Sequence, residues 1–292
     1  MELKNIGVVS PGDMGQAVAA RLKECGYGIY TALEGRSART RALAAKAGLE
    51  DCRTMSALIS RCDMVCSILN PAAAMEKARE AAAAIAATGK RITYVDCNAV
   101  APETVREIDR VIRAAGGDFI DAGIVGPPPR GAAKTRVYVS GREAHRMTAI
   151  KNDHMLVRVV SERVGDASAL KMCYGAITKG AVALGVELLI AARKLGVGEA
   201  LEREFQESIP GIYDWILARS VPMPPKAYRW VPEMNEIAKT FEDAGMTPRM
   251  LLGAADMFEM IAGTALGKES PEHARERARD AREIIRSLAD DR

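Results

Sequence analysis

The stretch NIGVVSPGDMGQAVAARL, from Asn5 to Leu22, sets the fold of the amino-terminal half of the chain. A short apolar run leads into a Pro/Gly turn, and the residues after the turn place Met14, Val18 and Leu22 on one face of a helix. A strand, a tight turn and an amphipathic helix in this order begin a βαβ unit. The stretch therefore predicts a parallel sheet covered by helices.

The turn in this stretch, SPGDMG at residues 10–15, is the dinucleotide-binding fingerprint with its first glycine replaced by serine. Gly12 would let the backbone approach a pyrophosphate, Gly15 would let the helix pack on the strand, and the free helix amides would face the phosphates. The alternative is a strand, turn and helix without a ligand. We predict that the cofactor contacts Ser10, Pro11, Gly12, Asp13, Met14 and Gly15.

The second predicted strand, at 28–33, ends in residues placed where a dinucleotide's ribose is recognised, about twenty residues after the glycines. Glu34 would accept a hydrogen bond from a free 2′-hydroxyl. Arg36 and Ser37 would instead suit a 2′-phosphate, because a guanidinium pairs well with phosphate oxygens. These residues favour NADP over NAD as the cofactor. The alternative is a polar turn followed by a helix cap.

Strands and helices continue to alternate as far as residue 140, which predicts a doubly wound, mostly parallel Rossmann-type sheet. Predicted strands lie at 64–69, 92–96, 119–121 and 137–140, and predicted helices at 71–87 and 102–115. Ligands of such sheets bind beyond the carboxyl ends of the strands. The turns at 70–71, 98–99 and 121–129 are therefore assigned to the cofactor and substrate cleft, with Leu69, Asn70 and Asn98 as cofactor contacts.

The composition argues against several other classes of protein. The 292 residues, 48% of them hydrophobic, are enough for two domains. A net charge of +3 and only 4% aromatic residues argue against nucleic acid as a partner. The chain starts without the pattern of a signal peptide, and its longest apolar run, at 180–192, is shorter than the ~20 residues of a bilayer span. The scattered cysteines and histidines complete no metal site. We expect a cytoplasmic protein without a membrane segment.

Five segments taken together resemble the β-hydroxyacid dehydrogenase superfamily, which is related to 6-phosphogluconate dehydrogenase. They lie at 6–15, 35–37, 96–99, 121–127 and 165–175, and segments 174–184 and 227–241 resemble the branch with a carboxy-terminal domain of unknown function. The resemblance implies an NAD(P)-binding domain at 1–165 and an all-helical substrate and dimerisation domain at 166–292, opened by an interdomain helix at 167–195. It also implies a homodimer that oxidises or reduces a small β-hydroxyacid.

The predicted interdomain helix carries two lysines, Lys171 and Lys179, among apolar residues. An apolar environment favours the uncharged form of lysine, as proton transfer requires, although a lysine on such a helix more often extends to the surface. The resemblance assigns the general acid or base to Lys171. Tyr174 and Gly175 share its helix face, and Gly175 would leave that face open. Lys179 would modulate Lys171, hold an anionic substrate, or be a surface cation.

Several positions depart from the family's pattern at the substrate site. Asn98 replaces the carboxylate-binding serine, and Val125-Gly126-Pro127 replaces a Ser-Gly-Gly turn, which removes a hydroxyl and an amide donor. Tyr174 and Gly175 replace an asparagine pair. These departures weaken the inference that a simple carboxylate binds. The substrate contacts predicted on this part of the chain are Asn98, Val125, Gly126, Pro127, Tyr174, Gly175 and Lys179.

The carboxy-terminal half predicts helices at 200–208, 212–219, 232–244, 248–266 and 271–288. The segment at 226–230 joins two cations and two aromatic residues. Arg229 as an anion ligand and Trp230 as a wall would make it a lid over the substrate, whereas the alternative is an interface or core anchor. Glu233 would orient a substrate or pair with Lys171 or Lys179, or lie on an exposed face.

The sequence therefore favours an NADP-dependent oxidoreductase acting on the CH–OH group of a small hydroxyacid, or on a related carbonyl compound. Reduction of an imine is an alternative, because the altered carboxylate turn resembles a site that does not recognise an acid. A cofactor-binding regulator without turnover is another alternative, since the first fingerprint glycine and several family polar residues are absent.

Overall fold

The computed structural model of the protein describes residues 3–150 and 152–291. The chain divides between Met172 and Cys173 into two compact units. The first unit contains a sheet with its helices, and the described part of the second unit contains only helices. The predicted domain boundary before residue 166 stays a prediction.

One eight-stranded sheet organises the first unit, with strand order β3-β2-β1-β4-β5-β6-β7-β8. All neighbouring strands are parallel except β6 and β7. The order from β3 to β6 is that of a doubly wound nucleotide-binding sheet, so the predicted fold class is confirmed. The strands are β1 (Asn5–Val9), β2 (Gly28–Thr31), β3 (Glu50–Asp51), β4 (Met64–Ser67), β5 (Thr93–Asp96), β6 (Asp118–Val125), β7 (Thr135–Ser140) and β8 (Met155–Ser161).

Helices cover both faces of this sheet, and each face has its own apolar core. Leu58, Ile85 and Ile108 are fully buried in one core, and Ile6 and Ile120 are fully buried in the other. Strands β4, β5 and β6 are buried throughout, as expected of strands covered on both faces. The helices are α1 (Asp13–Glu24), α2 (Ala38–Lys46), α3 (Met55–Arg61), α4 (Ala74–Thr88) and α5 (Pro102–Ala114), with short 3₁₀ helices at Pro71–Ala73 and Ala144–Ala149.

Strand β6 is longer than predicted, and this changes the place of Asp121. The strand continues to Val125 because it pairs residue by residue with the antiparallel β7, from Asp121 opposite Ser140 to Val125 opposite Arg136. Asp121 therefore lies inside the strand, and the prediction of a turn at 121–129 is wrong for its first five residues. Strands β3 and β8 and helix α3 were not predicted.

A long helix, α6 (Asp166–Lys194), begins in the first unit and continues into the second. The helices that follow are α7 (Gly198–Ser208), α8 (Pro210–Ser220), α9 (Ala227–Asp243), α10 (Arg249–Gly263), α11 (Pro271–Glu276) and α12 (Ala281–Asp290). Helix α9 begins earlier than predicted and contains Pro232. The helix predicted at 271–288 is two helices, because Ala278 has a φ of 46° and the Asp280 side chain caps a new helix at the Glu283 amide.

By length and composition α6 could cross a membrane, although core helices of soluble proteins pass the same test. Of the most apolar 18 residues of α6, 44% are buried within the protein. Its Lys179 forms an ion pair with Glu233 of α9.

Candidate functional site

The predicted phosphate-binding turn leads directly into α1. Gly12 is the N-cap residue of this helix and, having no side chain, makes no side-chain cap hydrogen bond. Ser10, at the place of the missing fingerprint glycine, has a φ of 58°, the left-handed region that favours glycine. Its carbonyl oxygen accepts a hydrogen bond from the Gly12 amide at 2.7 Å. The turn thus keeps the glycine backbone conformation, and its N-cap residue leaves the start of α1 without a side-chain cap, as a phosphate-binding helix start requires.

The two remaining fingerprint glycines differ in how much space they have. A Cβ on Gly12 would meet nothing closer than the Ser10 carbonyl oxygen at 4.0 Å, so this side of the turn is open. A Cβ on Gly15 would lie 3.5 Å from Val8, which is an ordinary van der Waals contact. A small side chain would therefore fit at position 15, and the packing of α1 on β1 does not depend on a glycine there.

Arg130, which the sequence analysis missed, reaches the start of α1 from the loop after β6. Its Nη2 donates to the Asp13 carbonyl oxygen at 2.8 Å and to the Asp13 carboxylate at 2.6 Å. Arg21 donates from the side of α1 to the carbonyl oxygens of Pro129 and Gly131 at 2.9 and 2.7 Å. These bonds fix the loop against the phosphate-binding turn, and Arg130 offsets the charge of Asp13. The sequence signal was weak, because the contacts span more than 100 residues.

A cavity of about 150 Å³ lies where a dinucleotide's ribose is expected, and both Ser10 and Arg36 line it. The Arg36 guanidinium makes no hydrogen bond or ion pair with any residue that the structure describes. Ser37 caps α2, since its Oγ accepts from the Thr40 amide at 3.2 Å. The charged residues around the cavity are the cations Arg36, Arg53 and Lys77 and the anions Glu34 and Glu80. The cations around the cavity outnumber the anions by one, which suits a phosphate group.

The carboxyl ends of β4 and β5 are joined by the buried side chain of Asn98. Its Oδ1 accepts from the Leu69 amide at 2.6 Å, and its Nδ2 donates to Ser67 Oγ at 3.0 Å and to the Asp96 carboxylate at 2.8 Å. Asn70 caps the following 3₁₀ helix through the Ala72 amide. The structure therefore brings Leu69, Asn70 and Asn98 to one edge of the sheet. Both N–H groups of the Asn98 amide are already used, so none is left for a substrate carboxylate.

Asp96 is a fully buried carboxyl at this edge, and sequence analysis did not single it out. Burial raises its pKa to about 7, against the lowering effect of the hydrogen bonds from Asn98. The charge of Asp121 raises the pKa of Asp96 further, and that of Lys171 lowers it. Asp96 therefore titrates near neutrality and lies within electrostatic reach of Lys171.

The first turn of α6 is held to the sheet by Asp121 and Ser140. The Asp121 carboxylate accepts hydrogen bonds from the Gly165 amide at 2.9 Å, the Ser168 amide at 3.1 Å and the Ser168 hydroxyl at 2.6 Å. Ser140 donates to Asp121 and accepts from the Ala167 amide at 3.0 Å. Burial raises the pKa of Asp121 although these bonds oppose the shift. Together the two residues satisfy amides that the helix leaves free at its start.

Gly123 explains how closely α6 approaches β6. A Cβ at this position would lie 2.8 Å from the Ala167 carbonyl oxygen and 3.0 Å from the Lys171 Cβ, so no side chain fits without a shift. Because Asp121 pairs with the last residue of β5, Gly123 lies just beyond the carboxyl end of that strand. The structure therefore places Lys171 at the edge of the sheet where ligands of such folds bind.

The turn after β6 carries three of the predicted substrate contacts. The Val125 side chain is buried within the strand, and Gly126 and Pro127 are exposed. Gly126 has a φ of 114°, which a residue with a side chain rarely adopts. The Pro127 carbonyl oxygen accepts from the Thr135 hydroxyl at 2.5 Å. The turn is thus fixed, but its first side chain faces the protein interior.

In the second unit, Lys179 is part of a packed cluster. Its Nζ lies 2.8 Å from a Glu233 carboxylate oxygen and 5.7 Å from the ring centroid of Trp230, and its side chain is only 18% exposed. Trp230 meets Phe258 edge to face at 5.0 Å. Pairing with Lys179, one of the roles considered for Glu233, is therefore observed. Lys179 is not a surface cation.

The remaining predicted contacts of the second unit differ in accessibility. Tyr174 is 43% exposed, whereas a Cβ on Gly175 would lie 2.9 Å from Ile237 of α9. The prediction that Gly175 leaves its helix face open is therefore wrong, because α9 packs into that space. The Arg229 Nε is buried and has no hydrogen-bond partner among the described residues. Whether these residues contact a substrate stays a prediction.

Comparisons with known families agree with this arrangement. The family described as the NAD binding domain of 6-phosphogluconate dehydrogenase matches residues 5–152, and the domain of unknown function DUF1932 matches residues 192–261. The first match covers the sheet with the phosphate-binding turn, and the second covers helices of the second unit.

Three solved structures are similar to the chain. A conserved protein of unknown function, described as similar to 3-hydroxyacid dehydrogenases, is 30% identical over 88% of this chain and 96% of its own, with a TM-score of 0.67. Mycobacterium tuberculosis 3-hydroxyisobutyrate dehydrogenase, solved with L-serine, is 17% identical over 95% and 100%, with a TM-score of 0.71. A reductive aminase from Aspergillus terreus, solved with NADPH and ethyl levulinate, is 17% identical over 95% and 100%, with a TM-score of 0.54.

The last two similarities concern the fold alone, because the sequence identities are low. The first structure and the two matched families carry the relationship itself. The protein therefore belongs to the 6-phosphogluconate dehydrogenase-like β-hydroxyacid dehydrogenase superfamily, in the branch that carries the domain of unknown function DUF1932.

Proposed function

We propose that the protein transfers hydride between NADP(H) and a small hydroxyacid or related carbonyl compound, with Lys171 as the general acid or base. Family membership supports the coarser statement, an NAD(P)-dependent oxidoreductase. The observation that carries the finer proposal is the position of Lys171, whose Cβ lies against Gly123 just beyond the carboxyl end of β5. Proton-transfer groups of such folds are needed at this edge.

In this proposal Lys171 transfers the proton, and Asp121 and Ser140 hold its helix in position. In the direction of reduction the Lys171 ammonium donates a proton to the carbonyl oxygen, and in the direction of oxidation its amine accepts the hydroxyl proton. Asp121 and Ser140 orient the helix that carries Lys171 and transfer no proton themselves. The nicotinamide cofactor, when bound, supplies or accepts the hydride.

The first unit offers a fitting site for the cofactor. The start of α1, where Gly12 provides no side-chain cap, would hold the pyrophosphate, with Arg130 as a neighbouring cation. Arg36 lines the cavity of the ribose end, makes no bond within the described chain, and would pair with a 2′-phosphate. The excess of cations around this cavity supports NADP over NAD.

The reaction class is tested with a panel of substrates followed through NADPH absorbance. The purified protein is incubated with NADPH or NADH and short β-ketoacids or semialdehydes, and with NADP and short β-hydroxyacids in the reverse direction. We expect turnover of at least one such pair and a preference for the phosphorylated cofactor. Absence of turnover with every pair, despite NADPH binding, would favour a cofactor-binding regulator that catalyses no reaction.

Reduction of an imine is a second candidate, and the substrate edge supports it. The Asn98 amide has no free donor, the Val125 side chain is buried, and Pro127 has no amide hydrogen. A substrate carboxylate would therefore find the Asn98 donors already used, no hydroxyl at residue 125 and no amide hydrogen at residue 127. The similar reductive aminase makes this candidate testable in the same assay. Turnover of a ketone lacking a carboxylate, only when an amine is added, would identify it.

We also propose a homodimer formed through the second unit. Ile177 and Leu184 on α6 and Leu195, directly after its last residue, are 62%, 63% and 76% exposed, and they lie seven and eleven residues apart, on one side of the helix. An exposed apolar stripe of this kind is typical of an interface. Light scattering after gel filtration should give a dimer mass, and Leu184→Lys should reduce it to a monomer. A monomeric wild-type protein at micromolar concentration would contradict this proposal.

A further inference from the structure

A second cavity, of about 330 Å³, lies entirely within the helical unit, among the carboxy-terminal end of α6 and helices α7, α8 and α12. None of its lining residues belongs to the predicted cofactor or substrate sites. Among the residues that line it, Leu189 and Ile285 are buried and Leu217 is half-buried, whereas the arginines are exposed and form its rim. The cavity thus combines an apolar lining with a charged rim, as ligand sites do.

The charge of the rim is mainly positive. Four guanidinium groups, from Arg193, Arg203, Arg282 and Arg286, line the cavity together with the two acids Glu199 and Glu202. Arg282 donates to Glu202 at 3.0 Å. The other three arginines make no hydrogen bond or ion pair with any residue that the structure describes. Three permanently charged planar groups around one cavity attract an anion and match the geometry of carboxylate or phosphate oxygens.

Tyr213 provides an independent indication of a ligand. The residue is only 2% exposed and lines the cavity, and its hydroxyl lacks a hydrogen-bond partner of normal geometry within the described chain. Burial raises the pKa of this hydroxyl, and the negative charge of Glu202 raises it further, so the group remains a donor at neutral pH. The Glu202 carboxylate and the Arg282 guanidinium interact electrostatically with this hydroxyl, but neither makes a hydrogen bond of normal geometry with it, and a ligand oxygen in the cavity would supply that bond.

We propose that this cavity binds a small organic anion, a carboxylate or phosphate ester with an apolar body. The unpaired arginines contact its oxygens, Tyr213 donates a hydrogen bond to one of them, and the apolar body lies on Leu189, Leu217 and Ile285. The site is distinct from the proposed site of hydride transfer and does not depend on it.

Isothermal titration calorimetry with phenyl phosphate and benzoate, at constant ionic strength, tests this proposal. The two probes share an apolar ring and differ in the anionic group. Their affinities therefore also show whether the cavity prefers a phosphate or a carboxylate. We expect one to bind with a stoichiometry near one per chain, and benzyl alcohol not to bind. Tyr213→Phe and Arg286→Gln should each weaken binding roughly tenfold, because each removes a hydrogen bond to a charged group.

Two control variants separate this site from other cationic surfaces. Arg36→Ala removes the cation of the ribose cavity, and Arg249→Gln removes an exposed arginine elsewhere in the helical unit. Both should leave the affinity for the probe unchanged. Loss of binding in Arg36→Ala, or binding that survives both Tyr213→Phe and Arg286→Gln, would overturn the proposal. Failure of both probes to bind the wild-type protein would overturn it too, including the case in which a second copy of the chain fills the cavity.

Discussion

Asp121 of β6 and Ser168 of α6 are joined by two hydrogen bonds, from the Ser168 hydroxyl at 2.6 Å and from its amide at 3.1 Å. Asp121 is fully buried in the sheet, and Ser168 lies in the first turn of the helix, three residues before Lys171. The sheet thus fixes the start of the helix that carries the proposed proton donor.

Ser168→Ala should lower turnover more than it lowers cofactor affinity. The change removes the 2.6 Å bond to Asp121 and should reduce the free energy of unfolding by about 1–3 kcal/mol, as is usual for a hydrogen bond to a charged group. Urea unfolding, kcat and the dissociation constant of NADPH are measured together. Ser208→Ala, whose hydroxyl bonds only within its own helix, is the control. An unchanged kcat in Ser168→Ala would show that the bond does not position Lys171.

Asp96 should make the protein less stable as the pH rises from about 5 to 8. Its folded-state pKa, near 7, lies above the usual value of 3.8, so between these values the folded state holds a proton that the unfolded state has lost. The stability that this proton contributes is therefore lost progressively as the pH rises from about 4 to about 7, and the part lost between pH 5 and 8 should amount to roughly 2–3 kcal/mol. Asp96→Asn should remove this part of the pH dependence. Parallel urea unfolding curves at pH 5, 6, 7 and 8 test it, and an equal slope in both proteins would refute it.

Ser10→Gly should stabilise the protein by about 0.5–1 kcal/mol. Ser10 has a φ of 58°, and glycine adopts this conformation without the steric cost that a Cβ brings, although it gains more entropy on unfolding. Ser10→Ala keeps the Cβ and should not be more stable than the wild type. Both variants are compared by urea unfolding. A gain in Ser10→Ala equal to that in Ser10→Gly would mean that backbone strain is not the cause.

Arg36→Ala should weaken NADPH binding roughly tenfold or more and leave NADH binding nearly unchanged. The guanidinium lines the ribose cavity, where its proposed partner is the 2′-phosphate, a group that NADH lacks. Glu34→Ala, on the same cavity, is the matched variant and should not weaken NADPH binding. Fluorescence titration with the two cofactors measures both affinities. Equal losses for NADPH and NADH would rule out this role for Arg36.

The sequence predicted those features that depend on local pattern. The strand, turn and helix at residues 5–22 and the alternation up to β5 follow from hydrophobic periodicity and turn residues, and the long helix follows from its apolar content. The family resemblance selected Lys171. The contacts that position Lys171 were not predicted, because each joins distant parts of the chain. Asp121 and Ser168 are 47 residues apart, and the length of β6 depends on its pairing with β7.

Contacts between distant residues of the second unit also could not be predicted from local sequence patterns. Lys179 and Glu233 lie 54 residues apart. Their pairing could therefore be predicted from the sequence only as one of several possibilities. Gly175 looked like an open position because a glycine on a helix face leaves a gap, but Ile237 of a later helix fills that gap. Arg130 lies in a loop rich in proline and glycine, and only the fold brings it to Asp13.

The central claim, that Lys171 transfers the proton, is tested most directly by comparing Lys171→Met with Lys194→Met. Lys194 is an exposed lysine at the end of the same helix, so its substitution controls for the loss of a lysine from α6. The measurement is the single-turnover rate of NADPH oxidation with the best substrate of the panel, alongside the NADPH dissociation constant. We predict that Lys171→Met keeps its NADPH affinity and loses roughly 10²–10⁴-fold in rate, while Lys194→Met behaves as the wild type. A Lys171→Met rate within a few fold of the wild type would contradict the proposed mechanism.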